Sequence, residues 1–194
     1  MENSHRRDQR KGKEVIPLEG KIFTVITDTP LGKIQAAACD NALYGLWFMG
    51  QKYFPKNTNA WLTKPDYPVF VSLKAWLKEY FTPGKPETPV PLSPVGTDFQ
   101  QAVWKLLLEI PYGKTTSYGA IAVRLAQNGK KASAQAVGGA VGHNPISLLI
   151  PCHRVLGADG SLTGYAGGLE KKRSLLELEG VTGPSPGVPH QPDP

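Results

Sequence analysis

The chain is poor in cysteine, has no long apolar run and, over its middle, lacks acidic residues altogether. Only Cys39 and Cys152 occur in its 194 residues. Two isolated thiols exclude a disulfide scaffold and a CxxC zinc pair, and Cys39 with His5 falls short of a four-ligand site, so no metal is expected. No stretch reaches the roughly eighteen apolar residues of a membrane-spanning helix, so no membrane association is expected. The opening MENSHRRDQRKGKE has no apolar secretory core, which points to an intracellular setting: cytoplasmic, or nuclear in a eukaryote. From Ile110 to Ala158 there is no Asp or Glu, whereas Lys114, Arg124, Lys130, Lys131 and Arg154 are present. Within a net charge of +6, that stretch suits an anionic partner, nucleic acid first, because neutralised phosphates release counterions. A solvated basic face is the plainer reading.

What is present suits one or two small domains. Residues 1–20 read as a flexible basic arm and 181–194, with five prolines, as a disordered tail. Residues 21–27, 33–39 and 42–49 are β-rich runs broken by Thr29-Pro30-Leu31-Gly32 and Asp40-Asn41, which predicts an antiparallel meander. Val69, Leu73, Trp76, Leu77 and Tyr80 recur at helical spacing, predicting a helix that covers this sheet. A Pro-rich connector, 83–94, then separates a domain at 21–94 from one at 95–180. Cys39, ending a strand, reads as a core thiol.

Beyond the connector short helices are predicted. Thr97-Asp98-Phe99-Gln100 fits a capping box ahead of an apolar stripe of Phe99, Val103, Leu106, Leu107 and Ile110. Ser117 and Ser133 read as N-caps of two further helices, to about Ala126 and Val141, joined across Asn128-Gly129. The arrangement suggests a helix-turn-helix. Its last helix is nearly bare, with Ala134, Ala136, Gly138, Gly139, Ala140 and Gly142 in a place where glycine weakens helices. Either it packs closely against another helix, or its backbone approaches the minor groove, only about 6 Å wide.

Asn144-Pro145 stops that helix, and Pro151-Cys152-His153-Arg154-Val155 follows an apolar run. A cysteine flanked by proline and histidine in electropositive surroundings is a candidate thiolate nucleophile, although most free cysteines are inert. Read as extended chain, the segment points Cys152 and His153 in opposite directions, so contact between them requires a bend or a bridging water. Such a histidine needs a partner to set its tautomer, commonly a carboxylate.

Through GTDFQQAVW, IPYGKTTSYGAIA, AVGGAVGHNP, IPCHRV and GYAGGLEKK…LLELEG, residues 96–180 resemble the O6-alkylguanine-DNA alkyltransferases, also called methylated-DNA–protein-cysteine methyltransferases. The resemblance implies an α+β protein: a strand-rich, ribonuclease-H-like N-terminal domain followed by a winged helix-turn-helix-like helical domain. It implies a monomer, without cofactor, that binds double-stranded DNA through the minor groove and flips out O6-alkylguanine, with O4-alkylthymine a second candidate. The alkyl group then moves to Cys152. His153 would be the base through a water, Glu179 would orient it, and Asn144 would brace the turn near the sulfur. Tyr118, aided by Lys172, would supply the proton that the departing guanine needs. Carbonyls of Cys152 and Val155, with Tyr165, Ala166, Gly167 and the rest of the loop 164–168, would form the base pocket. Ser117, Lys131, Ala134, Gln135, Ala136 and Gly138 would face DNA. A thioether has no evident means of release, so each molecule would react once. Gln135 stands where the family commonly has an arginine that fills the vacated base stack.

Two other classes compete. A DNA-binding module could recognise alkylated bases, or regulate, without transfer; the cysteine within PCHRV argues against it. A Cys-His hydrolase would need an oxyanion-hole motif or nucleophile elbow, and neither occurs.

Overall fold

The computed structural model describes residues 21–82 and 84–181; the basic arm and most of the Pro-rich tail read from the sequence lie outside the described residues. Strands β1 (Phe23–Thr27), β2 (Ile34–Cys39) and β3 (Ala42–Phe48) form the antiparallel meander that the turn residues predict. Between β2 and β3, Asp40 and Asn41 have φ of 49° and 57°, the left-handed conformation that a two-residue hairpin favours and that Asp and Asn tolerate. A short β4 (Leu62–Thr63) adds parallel to β1, giving the order β3-β2-β1-β4. Two residues carry no periodicity, which is why this strand is illegible in the sequence. Helix α1 (Pro68–Tyr80) opens on proline, whose missing N–H costs nothing there. It packs Phe70, Leu73, Trp76 and Tyr80 inward over β2 and β3.

The Pro-rich connector is more than a spacer. Leu43 N donates to Pro91 O at 2.7 Å and Ser93 N to Leu43 O at 2.8 Å. Further along the same strand, Leu46 N donates to Pro145 O at 2.9 Å and Ser147 N to Leu46 O at 2.8 Å. The outer edge of β3 is thus occupied by two irregular segments, which removes a free sheet edge and fastens residues 145–147 to the sheet.

The second half is helical. Helix α2 (Asp98–Leu108) carries the full capping box: Gln100 N donates to Thr97 Oγ1 at 3.2 Å and Thr97 N to Gln100 Oε1 at 2.9 Å. Its stripe buries Val103, Leu106 and Leu107 as expected and adds Trp104, while Phe99 stays partly exposed. Helices α3 (Tyr118–Gln127) and α4 (Ala134–Gly142) begin at the Ser117 and Ser133 caps, and α5 (Leu169–Leu178) is the last helix among the described residues. A parallel pair, β5 (Thr116–Ser117) and β6 (Val155–Leu156), ties the start of α3 to the segment after Cys152. One apolar core runs from Val25 through Trp104 to Leu175, so both halves share a single interior. Each fully buried Leu or Phe in it contributes about 1.5–3 kcal/mol. Among the described residues, no helix is long and apolar enough to cross a membrane.

Candidate active site and nucleic-acid interface

The thiol of Cys152 sits in a 3₁₀ turn, Cys152–Arg154, not in the extended chain assumed from the sequence. The carbonyl of Pro151 accepts from Arg154 N at 3.0 Å, and the turn brings Cys152, His153 and Arg154 all inside the protein. The bend that extended geometry would have required is therefore supplied by the backbone. Asn144, buried behind the helix stop, donates through Nδ2 to Cys152 Sγ at 3.1 Å and to Ile150 O at 2.8 Å, and accepts from Ile146 N at 3.0 Å. It links the end of α4 to the sulfur.

Glu179, just past the last turn of α5, is where the charges gather. Its Oε1 accepts from His153 Nε2 at 2.7 Å, Tyr80 Oη at 2.7 Å and Arg154 Nη2 at 2.9 Å. Its Oε2 accepts from Arg154 Nε at 2.7 Å and Gly113 N at 3.1 Å. Gly113 has φ 71°, and a Cβ there would meet Glu179 O at 2.8 Å, so only glycine fits. Burial alone would push the Glu179 carboxyl up, but the hydrogen bonds and charges of His153 and Arg154 outweigh it and leave it at about 2 against an ordinary 4.5. The carboxylate is consequently ionised and can only accept. Nε2 of His153 must then carry the proton, and Nδ1 is left as a lone pair. That buried Nδ1 has no hydrogen-bond partner among the described residues.

The thiolate expectation needs correction for the resting state. Burial raises the Cys152 thiol, against Asn144, the Lys172 charge and local N–H groups, which lower it. Burial likewise lowers the His153 imidazole, although Glu179 pulls it up. Both groups therefore rest neutral, the one as a thiol and the other as a free base.

Arg154, counted above with the basic stretch, is inside the protein and neutralised by Glu179; its Nη1 also donates to Ile110 O at 2.7 Å. Arg124 pairs with Glu109. Of that stretch only Lys114, Lys130 and Lys131 remain exposed without an ion pair among the described residues. The net charge overstated the face available to an anion because sequence counting cannot separate a buried cation from a surface one.

Lys172 is also fully buried, not a surface cation. Its Nζ donates to Val155 O and Thr163 O, each at 2.6 Å, and burial brings it down to about 8 despite the attraction of Cys152. Tyr118 Oη donates to Thr163 O at 3.0 Å; its phenol is raised mainly by burial. The two candidate proton donors thus meet on one carbonyl. The carbonyls of Cys152 and Val155 already accept from Val155 N and Lys172 Nζ, leaving one lone pair on each.

Beside these groups lies a cavity of about 260 Å³ lined by Tyr53, Tyr118, Gly138, Gly142, Gly164 and Tyr165, with Ala166 and Lys52 at its edge. Tyr118 and Tyr165 are both close enough to feel the charge of Cys152. Gly167 braces the loop: a Cβ there would come within 2.8 Å of the Tyr165 ring and 3.2 Å of Phe48. Sequence reasoning missed Tyr53, which stacks on His143 with ring centroids 4.0 Å apart. It also missed Tyr80, Gly113 and the buried role of Arg154. A cation inside an otherwise apolar run, HRVL, was the one available signal.

On α4, Val137, Ala140 and Val141 pack inward, and Trp104 Nε1 donates to Ala140 O at 2.9 Å. The opposite side exposes Ala134, Gln135, Ala136 and Gly139, and a Cβ on Gly139 would meet nothing within 4 Å. Internal packing therefore does not require Gly139, and a Cβ on Gly138 would meet the Tyr118 ring at 3.7 Å, an ordinary contact. Ser117 Oγ is engaged as a cap by Ala120 N, and Lys131 is exposed. Among the described residues, no three His, Cys, Asp or Glu side chains are grouped to hold a metal ion; His5 lies outside them.

Two family models match, covering most of the chain. Residues 22–94 match the ribonuclease-like domain of 6-O-methylguanine DNA methyltransferase, and residues 98–181 match its DNA binding domain. A methylated-DNA–protein-cysteine methyltransferase of Mycobacterium bovis is 47% identical over 158 residues, covering 81% of this chain and 92% of its own. One of Haemophilus influenzae is 43% identical over 155 residues, covering 79% and 83%. Among solved structures, Mycobacterium tuberculosis OGT in complex with DNA is 44% identical with a TM-score of 0.72, covering 81% of this chain and 92% of its own.

Proposed function

The chain belongs to the 6-O-methylguanine DNA methyltransferase family and repairs alkylated DNA by direct transfer of the alkyl group to a cysteine of its own; we propose that this cysteine is Cys152, activated by His153 and Glu179. Its fold is accordingly a ribonuclease-like domain followed by a helical DNA-binding domain, and DNA is its partner. The observation that carries the assignment is that Glu179 accepts from His153 Nε2, leaving Nδ1 buried and unpaired among the described residues, on the neighbour in sequence of a thiol held by Asn144. Burial pushes up both thiols, but at Cys39 the side chain of Asp40 pushes the same way, whereas at Cys152 Asn144 and the Lys172 charge act against it.

In this mechanism a water links Cys152 Sγ to His153 Nδ1 and carries the thiol proton to the imidazole. Sulfur then attacks the alkyl carbon as its bond to guanine O6 breaks. The electron pair left on the base is neutralised by a proton from the Tyr118 hydroxyl, with Lys172 supporting the shared Thr163 carbonyl and adding positive charge. The imidazolium that forms is stabilised by Glu179. Because the alkyl carbon ends in a thioether, the protein is consumed one molecule per lesion, and no cofactor or metal takes part.

Docking follows from α4. Its bare face, Ala134, Gln135, Ala136 and Gly139, is slim enough to approach the minor groove, with Gly138 and Ser117 behind it and Lys131 reaching phosphate. Gln135 occupies the gap left by the extruded base. The flipped guanine enters the cavity between Tyr118 and Tyr165, along Ala166 and Gly167, and offers its amino group to the carbonyls of Cys152 and Val155. We assign the domains to residues 21–94 and 95–180, and a cytoplasmic (or, in a eukaryote, nuclear) monomer.

The test is a titration with an oligonucleotide duplex bearing O6-methylguanine. Guanine restored should equal protein added, mole for mole, with no reaction of a second portion of DNA. Repeated turnover, or binding without restoration of guanine, contradicts the mechanism.

A further inference from the structure

The tyrosine that ends α1 stands on the half of the chain outside the DNA-binding domain, yet its hydroxyl reaches the centre of the reacting group. Tyr80 has no solvent exposure and stacks on Trp76 with ring centroids 4.9 Å apart. Its Oη donates to Glu179 Oε1 at 2.7 Å and lies 3.3 Å from His153 Nε2. Since the same oxygen accepts Nε2–H at 2.7 Å, the three atoms close a ring, with Tyr80 Oη placed to take a weaker share of the imidazole proton. The phenol stays neutral, because burial and the adjacent Glu179 charge both hold its proton on.

We propose that Tyr80 is a positioning residue for the transfer reaction, one that keeps His153 in the Nε2–H form and limits how strongly Glu179 draws a second proton onto the imidazole. The inference rests on the reading of His153 as the base. A carboxylate shared among Tyr80, Arg154 and Gly113 is a weaker partner for the imidazole than one facing it alone. Nδ1 therefore remains a neutral acceptor at lower pH. The groups facing the pair are Tyr80 from α1, Tyr112 from the loop after α2, Arg154 from the 3₁₀ turn, and Lys172 from α5. Tyr165 adds a weaker influence on Tyr80. Arg154 and Lys172 disfavour the imidazolium and Glu179 favours it; Tyr80 acts with Arg154 and Gly113 in tempering Glu179.

Nitrogen-15 NMR of the full chain labelled at its four histidines, assigned with His153→Gln, reads both tautomer and titration. In the wild type, Nε2 should be protonated and Nδ1 a bare acceptor. In Tyr80→Phe the His153 midpoint should rise by about 0.5–1 pH unit, a fraction of what a charge-assisted hydrogen bond commands. The acid limb of the single-turnover rate should rise with it, lowering transfer about 3–10-fold below the wild-type midpoint and less than about twofold at pH 8. Placing 3-fluorotyrosine at position 80 keeps the ring and makes the hydroxyl a stronger donor, so both midpoints should move down. A folded Tyr80→Phe with an unmoved midpoint overturns the proposal, as does an unmoved midpoint with fluorotyrosine should the Phe variant not fold. A wild-type His153 protonated on Nδ1 overturns instead the reading of His153 as base, and this inference with it.

Discussion

Replacing Glu179 by Gln keeps its volume and removes its charge. Five hydrogen bonds end on this carboxylate, three on Oε1 and two on Oε2. An amide must turn a donor toward one of those sets, leaving Arg154 buried without its counter-charge and His153 without a fixed tautomer. Breaking a buried ion pair from one side costs about 3–5 kcal/mol. For a chain of this size each kcal/mol lowers Tm by about 2–4 °C, so Glu179→Gln should melt about 6–20 °C lower. The single-turnover methyl-transfer rate should fall about 10²–10⁴-fold, the usual worth of a positioned base. The acid behaviour has a definite sign. The folded carboxyl titrates at about 2 and the unfolded one near 4.5, so its contribution is complete above pH 4.5 and is lost as pH falls toward 2. That contribution is about 3 kcal/mol, and the variant should lack it throughout this window. Differential scanning calorimetry from pH 2 to 7 and quenched single-turnover assays measure both effects. A variant melting within about 2 °C of wild type and transferring within about threefold of its rate would refute the reasoning.

Asn144→Ala removes the donor to Cys152 Sγ, strands Ile146 N and takes one of two donors from Ile150 O. The thiol should rise, moving the limb on which transfer gains rate with pH to higher pH, and Tm should fall. Gly139→Ala should stabilise the fold by up to about 1 kcal/mol, since its Cβ meets open space. Gly139→Leu should leave Tm near wild type yet weaken duplex binding at least about tenfold, measured by fluorescence anisotropy; unchanged affinity would remove α4 from the DNA interface. Gln135→Arg, at an exposed position in the first turn of α4, should leave stability unchanged and accelerate single-turnover transfer. An equal rate would show that charge at this position does not assist extrusion.

The elements legible in the sequence were those whose signals are local. The Asp40-Asn41 turn, the apolar spacing of α1, the Thr97–Gln100 capping box and the Ser117 and Ser133 caps are all short-range signals, and all recur in the fold. What was not legible depends on distant partners. Tyr80 lies 99 positions from Glu179 and Arg154 lies 44 from Ile110, so nothing in either neighbourhood announces the contact. The Pro-rich connector carried turn signals correctly, but its bonds to Leu43 arise only once β3 needs an edge partner. Cys152 and His153 stood out by composition, whereas the 3₁₀ turn that buries them both depends on Asn144 bonding to the carbonyls of Ile146 and Ile150 beyond the stop.

The central claim is that the Cys152 sulfur takes the alkyl carbon. Peptide-resolved mass spectrometry, after mixing the protein with a duplex carrying O6-methylguanine, examines it most directly. One methyl group should appear on the peptide containing Cys152, with none on Cys39, and Cys152→Ala should bind the duplex and gain no mass. A methyl group found elsewhere, or a Cys152→Ala protein that still restores guanine, would contradict the account.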